Sequence, residues 1–183
     1  MGIKRVLSQL HRYVLWALLS VVFWAWIFTL RLDAPRKEKL TVYTDVDAVS
    51  VERLSEALSA LRPDGIRLVR VHPFSYAAFD TNAPNEADLY LLTESALSAH
   101  TDRLLPLFPE QGGKGEGPLA YGACVYDADS RTGMLKEYFK DAAAAPTESC
   151  YLCLNRDSWH LGARDGAGDD AAIVLMRRIL TLP

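Results

Sequence analysis

Residues 39–72, KLTVYTDVDAVSVERLSEALSALRPDGIRLVRVH, set the fold class of this chain. The run at 40–44 is short and rich in β-branched and aromatic residues, which is typical of a strand. A turn signal at 62–65 precedes residues 66–72, which alternate apolar and basic side chains as a strand does. Between the two strands, apolar residues recur at helical spacing: Val51, Leu54, Leu58 and Leu61. The pattern therefore predicts a strand, a helix and a second strand.

The same rhythm continues toward the C-terminus. Residues 88–93 (DLYLLT) predict a third strand that is apolar on both faces, as in a sheet covered by helices. Later strands are predicted at 119–126 and 150–154, and later helices at 94–100, at 133–140 and from Asp169 or Asp170 to about Leu180. We therefore expect an α/β fold with an open, mainly parallel sheet and flanking helices, in one domain that spans residues 40–183.

Upstream of this domain, residues 13–30 (YVLWALLSVVFWAWIFTL) contain no formal charge. Eighteen helical residues span roughly 27 Å, close to the thickness of the hydrocarbon core of a bilayer. The segment is followed by bulky and charged residues rather than by the small residues that a signal peptidase requires. We therefore expect an uncleaved signal-anchor: a basic leader at 1–12, a transmembrane helix at 13–30 and a stalk at 31–39.

The charges beside this helix bear on its orientation. Three basic residues precede it and four follow it: Lys4, Arg5 and Arg12, then Arg31, Arg36, Lys37 and Lys39. This count does not satisfy a simple positive-inside rule. A short basic leader before a first apolar segment nevertheless favours an N-terminus in the cytoplasm. We expect a single-pass protein of the cell membrane, with the lipid bilayer as its partner and the C-terminal domain extracytoplasmic.

The net charge differs between the two parts of the chain. Residues 1–39 hold seven Lys or Arg against two Asp or Glu, which gives +5, whereas residues 40–183 hold thirteen against twenty-one, which gives −8. An acidic domain repels phosphate backbones, and the sequence has no basic stripe with interleaved aromatic residues. Nucleic-acid binding is therefore not expected.

The three cysteines are Cys124, Cys150 and Cys153. In an extracytoplasmic domain one pair could be oxidised and one thiol left over, and the candidate disulfide joins Cys124 to Cys153. Cys150 and Cys153 lie in an apolar run that predicts a strand, where residues three apart point to opposite faces. Their spacing is therefore not read as a redox or zinc motif. The alternative for all three is a structural role as buried or cross-strand cysteines.

Part of the sequence resembles a known family. Residues 39–44 with the helix after them, residues 66–71 and residues 87–93 (ADLYLLT) resemble the first lobe of bacterial extracellular solute-binding proteins of the type 2 class. Residues 121–126 (YGACVY) are similar to the strand that passes toward that family's second lobe, and residues 154–162 resemble small membrane-anchored bacterial proteins that contain such a lobe. The resemblance implies one lobe, because the chain is too short for a second.

Candidate ligand-binding residues follow from the position of strand ends. In open α/β sheets, ligands collect beyond the carboxyl ends of the strands. The residues at these ends are Thr44, Asp45, Thr93, Glu94 and Ser95, and they offer hydroxyls, carboxylates and helix N-terminal amides for a small polar or cationic group. The alternative is that they only cap the following helices, since Thr, Ser and Asp are the usual N-caps.

No residue pattern predicts catalysis. The four histidines have no metal-binding spacing, and the acidic runs at 127–130 and 165–170 do not match a calcium loop, so neither a metal nor a cofactor is expected. Ser158 and His160 are two residues apart, which does not make a catalytic dyad, and the sequence has no nucleophile elbow.

The sequence therefore predicts a non-enzymatic membrane protein with a solute-binding-protein-like domain and a binding or interaction role, beside a membrane transporter or sensor protein. The alternative is a small-ligand receptor whose cleft is completed by a dimer or by a transporter partner. A hydrolase is a more distant third hypothesis.

Overall fold

The structure, a computed structural model, describes residues 2–32, 34–74, 86–107, 120–141, 145–162 and 170–181. In the first helix it describes the side chains of residues 10–28. The chain divides into two compact units, Met1–Pro35 and Arg36–Pro183. Residue 119 of the predicted strand at 119–126 and residues 165–169 of the acidic run at 165–170 lie outside the described residues.

The first unit is a single helix, α1 (Gly2–Leu32), of 31 residues. It extends beyond the predicted 13–30 segment at both ends, into the basic leader and into the first two residues of the predicted stalk. Within it, Leu10–Phe28 is long and apolar enough to cross a membrane by length and composition. Its large apolar side chains are exposed, as expected of a helix that presents an apolar surface all round.

The second unit alternates strands and helices much as the sequence predicts. The elements are β1 (Lys39–Thr44), α2 (Val51–Ala60), β2 (Leu68–Pro73), β3 (Leu89–Thr93), α3 (Glu94–Ala99), β4 (Leu104–Leu105), β5 (Gly122–Tyr126), β6 (Cys150–Asn155) and α4 (Ala171–Leu180). Short 3₁₀ turns lie at Arg36–Glu38, Thr101–Arg103 and Met134–Tyr138. The last of these replaces the α-helix expected at 133–140.

The strands form one open sheet in the order β2-β1-β3-β6-β4, with β5 also paired to β6. Strands β2, β1 and β3 are mutually parallel, and β6 runs antiparallel to β3, β4 and β5. Of the six strands in the described residues, five consequently run in one direction and β6 is reversed. The predicted fold class, α/β with an open, mainly parallel sheet, is confirmed.

Apolar side chains cover both faces of the sheet. The larger cluster joins β1, β3 and β6 to the amphipathic helices α2 and α4, and it includes Leu54, Leu58 and Leu175. The smaller cluster lies around α3 and includes Tyr90 and Leu97. Burial on both faces explains why the β3 sequence is apolar throughout rather than alternating.

Candidate functional site

The residues predicted at the carboxyl ends of β1 and β3 do lie together. Asp45 follows β1, and its carboxylate accepts hydrogen bonds from the Thr93 backbone N–H at 3.0 Å and from the Thr93 hydroxyl at 2.9 Å. The Thr44 hydroxyl accepts a bond from the backbone N–H of Val46 at 3.1 Å. Burial raises the pKa of Asp45 above its usual value, and the bonds from Thr93 oppose that rise. These polar groups therefore satisfy one another.

The two other predicted residues, Glu94 and Ser95, open helix α3 and are bound through their backbones. The N–H of Glu94 donates to the carbonyl of Ser149 at 3.0 Å, and the N–H of Ser95 donates to the carboxylate of Glu148 at 3.1 Å. The first turn of α3 is thus capped by the segment before β6. Ligand binding by this group of five residues stays a prediction, and the hydrogen bonds observed here are those of a helix cap.

A second polar cluster lies at the opposite end of the same strands, around the buried carboxylate of Asp88. Asp88 precedes β3 and pairs with β1, where its Oδ2 accepts the backbone N–H of Thr41 at 2.8 Å. Its Oδ1 accepts the Ser158 hydroxyl at 2.6 Å and lies 2.9 Å from Nδ1 of His160. Three donors converge on one carboxylate, which satisfies a charge that would otherwise be costly to bury.

The His160 ring is also buried, and a second acceptor lies on its other side. Its Nε2 is 3.2 Å from the backbone carbonyl oxygen of Lys37. A carboxylate and a carbonyl only accept hydrogen bonds, and imidazolium donates from both ring nitrogens whereas the neutral ring donates from one. Either ring nitrogen can therefore donate to the acceptor that faces it, and His160 and Asp88 form a buried ion pair when the ring is protonated.

The turn after β6 holds Ser158 and His160 in place. Asn155, the last residue of β6, is buried, and its side-chain amide donates to the Ala87 carbonyl at 2.6 Å. The Asn155 carbonyl accepts the Ser158 N–H at 3.2 Å, and the Ser158 hydroxyl oxygen accepts the His160 N–H at 3.0 Å. The antiparallel register of β3 and β6 sets this turn beside Asp88.

Although Asp, His and Ser meet here, their geometry is not that of a hydrolase triad. In a triad the histidine takes the proton of the serine hydroxyl, with the carboxylate on the far side of the ring. Here the Ser158 hydroxyl donates to Asp88, and Nε2 of His160 faces the Lys37 carbonyl. Ser158 is also buried.

A cavity of about 140 Å³ opens beside this cluster, and we call it the Trp159 cavity. Buried Thr41, Asp88 and His160 line its inner part. Its remaining lining residues are more exposed: Arg36, Lys39, Glu86 and Trp159. Trp159 is 46% exposed, and the Arg36 guanidinium lies over its ring, 4.6 Å from the centroid. The cavity thus combines fixed buried polar groups with charges of both signs and an aromatic surface.

The sequence reasoning missed this site. In the sequence, residues 154–162 carry a family resemblance, the spacing of Ser158 and His160 does not indicate a dyad, and Asp88 only begins a predicted strand. The available signal was a set of polar residues, Asn155, Ser158 and His160, directly after an apolar strand. Their convergence on Asp88 depends on the pairing of β3 with β6, which the periodicity of neither strand specifies.

The cysteines follow the strand geometry. All three are thiols rather than disulfides in this structure, with Cys124 exposed and the other two buried. Cys150 packs in the larger apolar cluster and Cys153 in the smaller one, so they face opposite sides of the sheet as predicted. Cys153 pairs with Gly122, which places Cys124 diagonally across the strand pair. The Cα atoms of diagonal positions are about 7–8 Å apart, farther than a disulfide spans without backbone movement. The Cys124–Cys153 disulfide stays a prediction.

Within the part of the chain that the structure describes, no three His, Cys, Asp or Glu side chains are grouped so that they could hold a metal ion. The acidic turn at 127–130 is closed by its own hydrogen bonds, with the Ser130 hydroxyl donating to the Asp127 carboxylate at 2.8 Å. That bond and the Asp129 backbone N–H lower the pKa of Asp127.

No protein-family model and no curated protein sequence matches this chain. Among solved structures, part of the chain is similar to the spermidine/putrescine ABC transporter substrate-binding protein PotD from Streptococcus pneumoniae, in complex with calcium and HEPES. That match has a TM-score of 0.35 and 16% sequence identity, and it covers 49% of this chain and 32% of PotD. The matched region is thus about a third of PotD, and a likeness at this level says nothing about what this chain binds.

Proposed function

We propose that this chain is a single-pass membrane protein whose extracytoplasmic α/β domain binds a small polar solute in the Trp159 cavity without chemical conversion. The observation that carries the binding role is the cavity itself, in which Asp88 and His160 are buried and held by several hydrogen bonds. Such fixed polar groups beside an open space are typical of a preformed ligand site.

The size and charge of the cavity restrict the class of ligand that fits it. A volume of about 140 Å³ is below the roughly 300–1,000 Å³ of drug-sized sites, so the ligand is a small molecule. Arg36 and Lys39 supply positive charge and Glu86 supplies negative charge around the same space. A small solute that carries charges of both signs, such as a free amino acid, fits this lining best.

The membrane part of the proposal rests on α1. The segment Leu10–Phe28 exposes apolar and aromatic side chains, including Trp16, Trp24 and Trp26, over a length that matches the bilayer core. In water such a surface is unfavourable, whereas in lipid it is solvated by acyl chains. The extracytoplasmic placement of the domain rests on the signal-anchor pattern.

Cysteine labelling in intact cells gives that test, because the three thiols differ in accessibility. Cys124 is exposed, whereas burial raises the pKa of Cys150 to about 12 and also raises the pKa of Cys153. We expect a membrane-impermeant maleimide, added after mild reduction, to label wild-type cells and to miss a Cys124→Ser variant. Labelling that occurs only after lysis would place the domain in the cytoplasm.

The class of solute is tested by measuring the unfolding temperature of the full chain in a non-ionic detergent. Amino acids, sugars and inorganic cations serve as probes. We expect a free amino acid to raise the unfolding temperature, because a ligand that binds only the folded state stabilises it. A Trp159→Ala variant should lose that shift, whereas an Arg177→Gln variant should retain it, since Arg177 lies on α4 and is not among the cavity residues. If every probe changed the unfolding temperature by the same amount, the proposed site would be contradicted.

The alternative is a cleft that a partner completes, either a second copy or a transporter subunit. The exposure of Trp159 at the cavity mouth favours it, because an exposed tryptophan is a common anchor of an interface. In this case no probe stabilises the isolated chain, and cross-linking in membranes from a photoreactive residue at position 159 captures a protein. Capture that persists in the Arg36→Glu variant would argue against this surface.

A further inference from the structure

A second and larger cavity, of about 420 Å³, lies between the first turn of α2 and the segment after β5. We call it the Arg53 cavity. Its volume falls within the roughly 300–1,000 Å³ that is typical of small-molecule sites. It shares no lining residue with the Trp159 cavity. Its lining residues are Arg53, Tyr126, Arg131, Lys136, Glu137, Phe139 and Ala145.

Arg53 is held in this cavity by backbone groups. Its two terminal nitrogens donate to the carbonyls of Phe139 at 3.3 Å and Glu137 at 2.7 Å. Arg53 lies in the first turn of α2, where the positive end of the helix dipole disfavours a cation. The guanidinium is therefore fixed in direction, but carbonyl oxygens leave its net charge uncompensated.

The other two cations of the cavity, Arg131 and Lys136, also lack a carboxylate within ion-pair distance among the described residues. Among the described residues, no carboxylate lies within ion-pair distance of Arg53, Arg131 or Lys136. The one acidic lining residue, Glu137, supplies its backbone carbonyl to Arg53. These three cations repel each other and outnumber the one carboxylate of the lining, that of Glu137, in a domain whose net charge from residue 40 onward is −8. A bound anion would relieve that repulsion.

Arg131 adds a conformational observation. Its backbone has φ of 55°, in the left-handed region that glycine and asparagine adopt far more readily than arginine. It lies in the tight turn closed by the backbone bond from Asp127 to Thr132. The sequence thus keeps a long cationic side chain at a position where a glycine would be more favourable for the backbone.

Aromatic rings complete the lining. Tyr126 and Phe139 are both buried and pack edge to face, with ring centroids 5.0 Å apart. The surrounding backbone is tied down, because Ser50 N–H donates to the Tyr138 carbonyl and Lys140 N–H donates to the Ala48 carbonyl, each at 2.8 Å. The space therefore has rigid apolar walls as well as cationic groups.

We propose that the Arg53 cavity binds an organic carboxylate with a flat apolar body, the body against Tyr126 and Phe139 and the carboxylate toward Arg53, Arg131 and Lys136. Arg131 favours such a ligand because its planar fork matches the two carboxylate oxygens, whereas both terminal nitrogens of Arg53 already donate to backbone carbonyls. An inorganic anion would leave the aromatic walls unused, and a neutral aromatic molecule would leave the three cations uncompensated.

The test uses the full chain in a non-ionic detergent, with phenylacetate as the probe and its uncharged analogue phenylacetamide for comparison. Isothermal titration calorimetry should show saturable one-to-one binding of phenylacetate, and phenylacetamide should bind at least about tenfold more weakly, since it lacks the charge-assisted bonds. The double variant Arg131→Gly with Lys136→Gln should weaken phenylacetate binding by about tenfold or more. Its unfolding temperature should stay the same or rise, because glycine suits the backbone of residue 131.

Controls separate this site from general charge attraction. The Arg177→Gln variant removes an exposed cation from α4 and should leave phenylacetate binding unchanged. Should the double variant fail to fold, the single Lys136→Gln variant, at an exposed position, gives the same comparison with a smaller loss. The proposal is overturned by an absence of saturable binding up to about 10 mM phenylacetate. It is equally overturned if phenylacetamide binds as tightly, or if Arg177→Gln weakens binding as much as the double variant does.

Discussion

The two ends of the β1–β3 pair carry similar polar groups and differ in what surrounds them. At the carboxyl end, the Asp45 carboxylate accepts a backbone N–H and a hydroxyl, both from Thr93. At the amino end, the Asp88 carboxylate likewise accepts a backbone N–H and a hydroxyl, from Thr41 and Ser158. Only Asp88 also meets a histidine ring, and only Asp88 lines the Trp159 cavity.

This difference shows that a polar network does not by itself mark a binding site. At the carboxyl end the hydrogen bonds join β1, β3 and the start of α3, and they serve the backbone of those elements. At the amino end the buried groups stand beside open space and beside charged side chains. We therefore rank the amino end above the carboxyl end as a binding site, against the general rule for parallel sheets.

The largest expected effect is at Asp88. An Asp88→Ala variant leaves the His160 ring, the Ser158 hydroxyl and the Thr41 N–H without their shared acceptor, and all three residues are buried. Breaking such a buried pair should lower the free energy of unfolding by about 3–5 kcal/mol. Urea denaturation of the solubilised chain, followed by circular dichroism, measures it. The matched control is Asp157→Ala, at an exposed position in the same turn, and equal losses for both would contradict the assigned role of Asp88.

A smaller effect is expected at the other end of the strands. Thr93→Val keeps the shape of the side chain but removes the hydroxyl that donates to Asp45. The loss of this bond should cost about 1–2 kcal/mol of unfolding free energy. Thr181→Val is the control, because the Thr181 hydroxyl is exposed and bonds within its own helix end. A loss at Thr93 as large as that at Asp88 would remove the energetic distinction between the two ends.

The Arg36–Trp159 contact should matter more for binding than for stability. Both side chains are largely exposed, and a cation–π contact in that setting contributes about 0.5–1 kcal/mol. We expect Arg36→Gln to lower the unfolding free energy by no more than this, while it abolishes the thermal shift produced by a bound amino acid. A variant with a large stability loss and an unchanged ligand shift would show that Arg36 is structural.

The smallest effect concerns the pH dependence of Asp45. Burial raises its pKa in the folded state, so the folded protein binds that proton more tightly than the unfolded chain does. The associated stability is present below the unfolded pKa and is lost as the pH rises through the folded pKa. The unfolding free energy of an Asp45→Asn variant, relative to that of wild type, should therefore rise as the pH rises from about 3 to 7, near the usual range for carboxylates. Urea midpoints at both pH values test this, and a trend of opposite sign would mean that Asp45 is stabilised in its charged form.

Much of the fold could be predicted because its signals are local. The apolar spacing on α2, the alternation in β2 and the continuous apolar run of β3 each follow from the burial of one face or of both. The 3₁₀ turn at Met134–Tyr138 was predicted as an α-helix because five residues cannot show which helical hydrogen bonds form. Helix α1 extends beyond the predicted 13–30 span because charged residues end a membrane span without ending a helix.

The sequence by itself determined that an uncharged apolar segment precedes an acidic α/β domain, since composition and periodicity report directly on what each segment can bury. The tertiary structure alone decided which polar residues meet. Asp88 and His160 lie 72 positions apart and come within 2.9 Å because β6 pairs antiparallel with β3. Arg53 and Glu137 are 84 positions apart and meet because the segment after β5 folds back onto α2. Long-range pairing of this kind depends on the packing of the whole sheet, and no local pattern records it.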